Sequence, residues 1–140
     1  MGIDSSKEMI KIAQKKVPEA NFIIQDMRNL DFAKNSFDGI SFSYSLFHIE
    51  KKSVLDVLKK THEILKDNGV IILIMQEGEG EIVIDEPLMP ELKIYFNLYT
   101  QPQITKVLKE TGFEVLSIDR IPPDEEEIPY NKMIILAKKR

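Results

Sequence analysis

Residues 70–75 read VIILIM, six apolar residues in succession with nothing polar on either face. A strand wetted on one side alternates in polarity, whereas a strand apolar on both faces suits the middle of a parallel sheet covered by helices. The run follows an amphipathic helical pattern over roughly 51–66. Val54, Leu58, Thr61 and Leu65 form one stripe there, with Val57 and Ile64 beside it. Asn68-Gly69 supplies the stop expected at a helix end. A helix feeding a doubly buried strand is the repeating unit of α/β folds, and the rest of the chain must be compatible with it.

It is. Ser5 and Glu8 have the spacing of a capping box, and Met9, Ile10, Ala13 and Val17 continue as a helical stripe that Pro18 ends. Asn21 to Gln25 forms a short buried-type strand that delivers Asp26 to a linker running to Phe32. FDGISFSYS (37–45) alternates, with Ile40, Phe42 and Tyr44 on one face and Gly39, Ser41, Ser43 and Ser45 on the other. Thr100 and Gln103 form a second capping box. Pro102 is tolerated in the first turn, Ile104, Val107 and Leu108 follow, and Gly112 closes the helix. Strands at about 114–121 and 132–137 finish the chain, and with no helix between them they are expected to run antiparallel. The least regular stretch is 76–99. These elements predict one α/β domain over residues 1–140 with a mostly parallel sheet and an antiparallel C-terminal strand.

Composition narrows the function. A formal charge of −4 argues against a nucleic-acid binder that works through its net field, and no apolar run is long enough to span a membrane. The opening residues do not read as a secretory signal. The absence of cysteine excludes disulfides, thiolate metal sites and cysteine nucleophiles, which fits a cytoplasmic setting. Glu77, Glu79, Glu81, Asp85 and Glu86 have no histidine or regular ligand spacing among them, so they read as a solvated acidic loop with no metal expected. The run Asp124 to Glu127 reads as a charged turn, and His62, set among Lys59, Lys60 and Glu63, as a surface residue.

The segments GIDSSKEMIKIAQ, QDMRNLDFAKNSFDGI, SLFHIE, LKDNGVIIL and LKETGFEVLSI occur in one order. In that order the chain resembles the class I S-adenosylmethionine-dependent methyltransferases. The resemblance implies a Rossmann-like sheet of strand order 3-2-1-4-5-7-6, its seventh strand antiparallel. On that frame the sequence begins at the tail of the second strand. Strand 1, its glycine-rich loop and the first helix are expected to be missing, since the six glycines nowhere form GxGxG. The expectation is an incomplete cofactor site with weak or absent S-adenosylmethionine binding. Strand 4 is then left with an open edge, which residues 22–25 could slide over to cover or a second copy could cover in a homodimer.

The resemblance also assigns roles. Asp4 would accept hydrogen bonds from the cofactor ribose, although a helix-start acid is the simpler use of such a residue. Asp26 would accept from the adenine amine while Met27 packs on the ring; an Asx turn ending the strand is the alternative. Ser43, Ser45 and Leu46 would lie beside the sulfonium, their small size admitting the ligand or simply a helix. His48 is the one candidate general base, although a structural, hydrogen-bonded role serves equally, and methyl transfer from a sulfonium can proceed by positioning alone. Residues 76–99 would form the variable lid, with Tyr95, Phe96 and Tyr99 touching substrate or anchoring the lid. The acceptor is expected to be a small molecule. A non-catalytic methyltransferase-fold module acting in assembly is the alternative.

Overall fold

A computed structural model of the protein describes residues 1–86, 89–125 and 127–140. Pro87 and Leu88 of the expected lid, and Glu126 of the acidic run, lie outside the described residues. The chain divides into two units, Met1–Phe32 and Ala33–Arg140.

The smaller unit is one βαβ turn. Strands β1 (Gly2–Asp4) and β2 (Phe22–Ile24) pair in parallel, Gly2 opposite Phe22 and Asp4 opposite Ile24, with helix α1 (Lys7–Lys16) between them in sequence. The N-cap of α1 is Ser6, one residue later than the sequence suggests. The Asp4 carboxylate Oδ1 accepts from the Ser6 N–H at 2.7 Å, which places Ser5 inside a turn, and Ser6 Oγ then accepts from the Met9 N–H at 3.2 Å. Of the expected α1 stripe only Ile10 is buried, while Met9 and Val17 are exposed. Ile24 on β2 is 53% exposed.

The larger unit carries β3 (Phe37–Ser43), α2 (Lys51–Ile64), β4 (Leu65–Gln76), β5 (Gly80–Glu86), β6 (Met89–Leu98), α3 (Gln101–Glu110), β7 (Phe113–Ile121) and β8 (Lys132–Lys139). Its four-stranded sheet has the order β3-β4-β8-β7, with β3 parallel to β4 and β8 antiparallel to both neighbours. This is the 4-5-7-6 portion of the expected sheet. Strand β2 does not slide across to β3: its described ladder is with β1, and β3 ends the four-stranded sheet as an edge. Pairing with β1 keeps the three-residue register of a short βαβ turn, which a long-range exchange would forfeit.

Strand β4 lies between β3 and β8, as its apolar sequence requires. Ile71, Leu73 and Met75 are fully buried, while Val70, Ile72 and Ile74 are half-buried. Opposite them Met133, Ile135 and Ala137 of β8 are buried, and the layer is covered by Val54, Val57, Leu58, Thr61 and Ile64 of α2 and by Ile104 and Leu108 of α3. The α2 stripe matches its sequence pattern, but its end does not. The helix stops at Ile64, where the Leu65 N–H still bonds Thr61 O, and the chain is already in β4 when it reaches Asn68-Gly69. Those residues form a bulge between the pairs Phe37–Leu65 and Gly39–Val70, with Asn68 at φ 63°. The α3 capping box is present in full: Thr100 Oγ1 accepts from the Gln103 N–H, and the Thr100 N–H donates to Gln103 Oε1 at 3.0 Å.

Two further expectations change. The irregular stretch 76–99 contains an antiparallel hairpin, β5 with β6, registered from Gly80–Leu98 onward. His62 is half-buried rather than free at the surface: its ring stands edge-on to Phe113 at 5.5 Å and crowds the space a side chain at Gly112 would need.

Candidate functional site

In the smaller unit, the parallel pairing brings two acids to like ends of adjacent strands. Asp4 closes β1, and one residue beyond β2 the Gln25 N–H donates to the Asp4 backbone carbonyl at 3.0 Å, leading into Asp26. The C-terminal ends of parallel strands are where α/β sheets bind ligands. Asp4 spends Oδ1 on the Ser6 N–H, and among the described residues Oδ2 meets no donor. Turn former and ligand acceptor are therefore compatible roles for this one side chain.

Asp26 is differently placed. It caps the 3-10 turn Met27–Asn29, and Oδ1 accepts from the Arg28 N–H at 2.8 Å. The Arg28 Nε lies 3.0 Å from both oxygens, and Nη2 closes on Oδ2. Each oxygen thus accepts twice, which fills the four acceptor positions of a carboxylate. The Arg28 side chain, and next its backbone N–H, hold the Asp26 carboxyl below the usual carboxylate range. The turn reading of Asp26 is realised, and an adenine amine could be accepted only once Arg28 gives up a position. Met27, beside it, is half-buried.

In the larger unit the candidates cluster where β3 ends. Ser43 is the last residue of the strand, is exposed, and shares a 3.1 Å hydrogen bond with Ser41. Tyr44 does not continue the Ile40–Phe42 face. Its φ of 50° turns the chain out of the sheet immediately after its N–H bonds Ile74 O at 3.0 Å. Ser45 then caps a 3-10 turn, Leu46–His48, without a side-chain hydrogen bond, and Leu46 and Phe47 are buried. Leu46 is thus a core residue.

His48 is exposed, and its Nδ1 lies 2.9 Å from the Tyr95 backbone carbonyl. A carbonyl oxygen only accepts, so Nδ1 carries the proton. In the neutral ring this tautomer leaves the lone pair on Nε2, as a base requires. The ring is also held by contacts with Phe47 at 4.4 Å and Phe96 at 5.1 Å. The structural and the basic readings of His48 therefore coexist: one nitrogen is tied down and the other is set for acceptance.

The hairpin aromatics divide. Phe96 and Tyr99 are buried anchors, Phe96 stacked on Phe47 at 5.2 Å. Tyr95 is half-buried, and burial first, then the Glu81 carboxylate, pushes its phenol up to about 12. Between them in sequence lies Asn97, fully buried. Its Nδ2 donates to Ile49 O at 3.2 Å and to the Tyr99 hydroxyl at 3.3 Å, stitching the hairpin to the segment after His48. Sequence reasoning missed Arg28 and Asn97. The first had a signal, an arginine two residues after a turn-forming aspartate; the second had none without the pairing register.

Comparison with known proteins follows the same lines. A family model described as a methyltransferase domain matches residues 1–69. A demethylmenaquinone methyltransferase of Thermotoga maritima is 26% identical over 81% of this chain and 59% of its own length. One of Paenarthrobacter aurescens is 33% identical over 70% of this chain and 34% of its own. The chain thus spans less than two thirds of the length of these curated relatives. Among solved structures, a SAM-dependent methyltransferase of Methanosarcina mazei superposes with a TM-score of 0.86 at 17% identity, covering 99% of this chain and 80% of that one. The 1,6-didemethyltoxoflavin-N1-methyltransferase of Burkholderia thailandensis, solved with 1,6-didemethyltoxoflavin and S-adenosylhomocysteine bound, reaches 0.76 at 18% identity, over 98% of this chain and 59% of that one.

Proposed function

Because this chain belongs to the class I S-adenosylmethionine-dependent methyltransferases, we propose that it acts in methyl transfer from S-adenosylmethionine to a small-molecule acceptor. The two units are read as parts of one such domain, with the β5–β6 hairpin as its lid. The observation that carries the proposal is the pair of acids at like ends of β1 and β2, one of them with an uncommitted carboxylate oxygen.

The donor set suits the ribose and adenine side of the cofactor, the half of the site that the sequence retains. Asp4 Oδ2 can accept from a ribose hydroxyl, Met27 offers an apolar surface to a purine, and Asp26 can accept the purine amine in exchange for Arg28. When bound, the cofactor supplies a methyl carbon already activated by a sulfonium, so the protein has chiefly to orient the acceptor in line with the carbon–sulfur bond. Ser43 is proposed as a cofactor-side residue at the end of β3. His48 Nε2 receives the proton that the acceptor loses as its heteroatom bonds the methyl, and the Tyr95 carbonyl, by accepting from Nδ1–H, leaves the lone pair on Nε2.

The test is photolabelling with tritiated S-adenosylmethionine. The protein should retain label that S-adenosylhomocysteine competes away, and His48→Ala should retain it equally while slowing turnover of any acceptor found. Label that excess S-adenosylhomocysteine does not displace would remove the proposal.

A further inference from the structure

The tautomer of His48 is set from another element. The ring is exposed, and the hydrogen bond from Nδ1 to the Tyr95 carbonyl at 2.9 Å leaves Nε2 unprotonated. Water competes for an exposed bond of this kind, so the tautomer persists only while β6 keeps that carbonyl in register with the ring. Tyr95 contributes a backbone atom here, which another residue at the position would also supply. The grip that fixes the register must come from elsewhere on β6.

Phe96 and Asn97 both reach the segment that carries His48. Phe96 stacks on Phe47 at 5.2 Å, a contact that holds the strand down but has little directional preference along it. Asn97 is directional. Its Nδ2 donates to the carbonyl of Ile49, the residue immediately after His48, at 3.2 Å, and to the Tyr99 hydroxyl at 3.3 Å. Lys51 Nζ stands over the Tyr99 ring, 5.1 Å from its centre, which returns the connection to the first residue of α2. The segment 49–51 is thus fastened to β6 at both ends.

Packing alone does not explain an asparagine at this position. The residue is fully buried, and among the described residues its Oδ1 meets no donor. Ile49 O only accepts, so the amide cannot be turned to bring Oδ1 into use. Leucine, of similar volume, would fill the space without burying an unmatched oxygen. What asparagine adds is the pair of Nδ2 bonds.

We propose that Asn97 is a positioning residue for His48: it locks β6 in the register at which the Tyr95 carbonyl accepts from Nδ1, so that His48 presents an unprotonated Nε2 only while the hairpin is docked. This rests on the reading of His48 as the base. The hairpin then does more than cover the site. Lifting it releases Nδ1, and the freed ring populates the form protonated on Nε2, where that nitrogen can take no proton from an acceptor. Base and cover are switched by one movement.

Long-range proton–nitrogen spectra of the full chain, recorded with both imidazoles neutral, read the tautomer directly, and the signals lost in His48→Gln assign the ring. The parent should show Nδ1 protonated. In Asn97→Leu the ratio of the Nδ1–H to the Nε2–H form should fall by about five-fold, the net contribution of one hydrogen bond expressed as a population. Leu108→Ala, a cavity beneath α3 that removes none of these contacts, should keep the parent's ratio. An unchanged ratio in Asn97→Leu, or an equal fall in Leu108→Ala, would overturn the proposal. The parent supplies a check that needs no variant to fold: the Asn97 side-chain N–H₂ protons should exchange with solvent more slowly than those of the exposed Asn68, and equal rates would also overturn it. Titration with S-adenosylhomocysteine separates the two readings. An Asn97-dependent tautomer without cofactor binding upholds the positioning and removes methyl transfer, while cofactor binding with an Asn97-independent tautomer does the reverse.

Discussion

Replacing Glu77 by glutamine should loosen the junction from which the hairpin springs. Glu77 follows β4 directly. Its Oε2 accepts from Arg120 Nε at 2.9 Å and Asn131 Nδ2 at 3.2 Å, and its Oε1 pairs with Arg120 Nη2. Its own N–H donates to Asn131 O at 2.7 Å. One side chain thus ties the end of β4 to β7 and to the loop before β8. Glutamine keeps the volume but loses the charge, and one of its ends must then turn an N–H₂ toward the guanidinium. Bonds to charged groups contribute about 1.5–3 kcal/mol each when sheltered and exposed pairs below about 1. Glu77 is 11% exposed and Arg120 54% exposed, so the fork falls between these limits. The loss should be about 1–2 kcal/mol, or roughly 3–6 °C in melting temperature for a chain of this length.

The pH dependence gives the sharper test. The Arg120 side chain, with Asn131 assisting, holds the Glu77 carboxyl below the ordinary glutamate range. A carboxyl depressed in the folded state contributes stability that is complete above its unfolded value of about 4.3 and disappears as pH falls through the folded value. Urea unfolding should therefore show a constant gap between parent and Glu77→Gln from about pH 6 to 8, narrowing below about pH 4. An Arg120→Gln partner completes a double-mutant cycle in which the two losses should be less than additive. A gap that stays constant down to pH 3.5, or additive losses in the cycle, would show that the fork is not what holds the junction.

Asp4→Ala should weaken S-adenosylhomocysteine binding by about 1–3 kcal/mol through loss of the ribose acceptor; Asp4→Asn, which retains the turn to Ser6, separates binding from helix capping when both are titrated calorimetrically. Arg28→Ala should raise the Asp26 titration midpoint, followed by carboxyl carbon NMR, toward the ordinary carboxylate value, and should tighten S-adenosylhomocysteine binding several-fold because Asp26 regains free acceptor positions; weaker binding would mean that Arg28 itself holds the ligand. Leu58→Ala, at a fully buried position of α2, should cost about 2–5 kcal/mol in urea unfolding, as cavities in close-packed cores do.

Where sequence and structure agree, the cause was local or was repeated along an element. The α2 stripe, the Thr100–Gln103 box and the apolar run in β4 each state their structure over several residues, and nothing distant reverses them. Asn68-Gly69 misled because the same left-handed preference that ends helices also builds bulges, and only the pairing with β3 tells which applies. The hairpin was illegible for a related reason: Glu81, Asp85 and Glu86 are poor strand formers, and they become a strand only because β6 pairs with them. In the candidate site, Asp4 and Asp26 could be placed from strand ends. The saturation of Asp26 by Arg28, the tautomer of His48 and the turn at Tyr44 depend on distances and torsions that no pattern of residue types encodes.

The hairpin leaves and rejoins the chain at almost one point. The Gly78 N–H donates to Tyr99 O at 3.1 Å, Glu77 bridges Tyr99, and a side chain at Gly78 would strike Leu98 at 2.7 Å. Everything between these residues is topologically a cassette, inserted through a closed gate between β4 and α3. Beyond the buried residues Phe96, Asn97 and Leu98, its length and sequence can change without altering the spacing of the elements on either side. Fragments grafted at 81–93, which leave the buried Phe96, Asn97 and Leu98 in place, should therefore be accepted by the four-stranded scaffold, and the part of the protein freest to acquire new chemistry in evolution is one whose ends its own backbone already holds together.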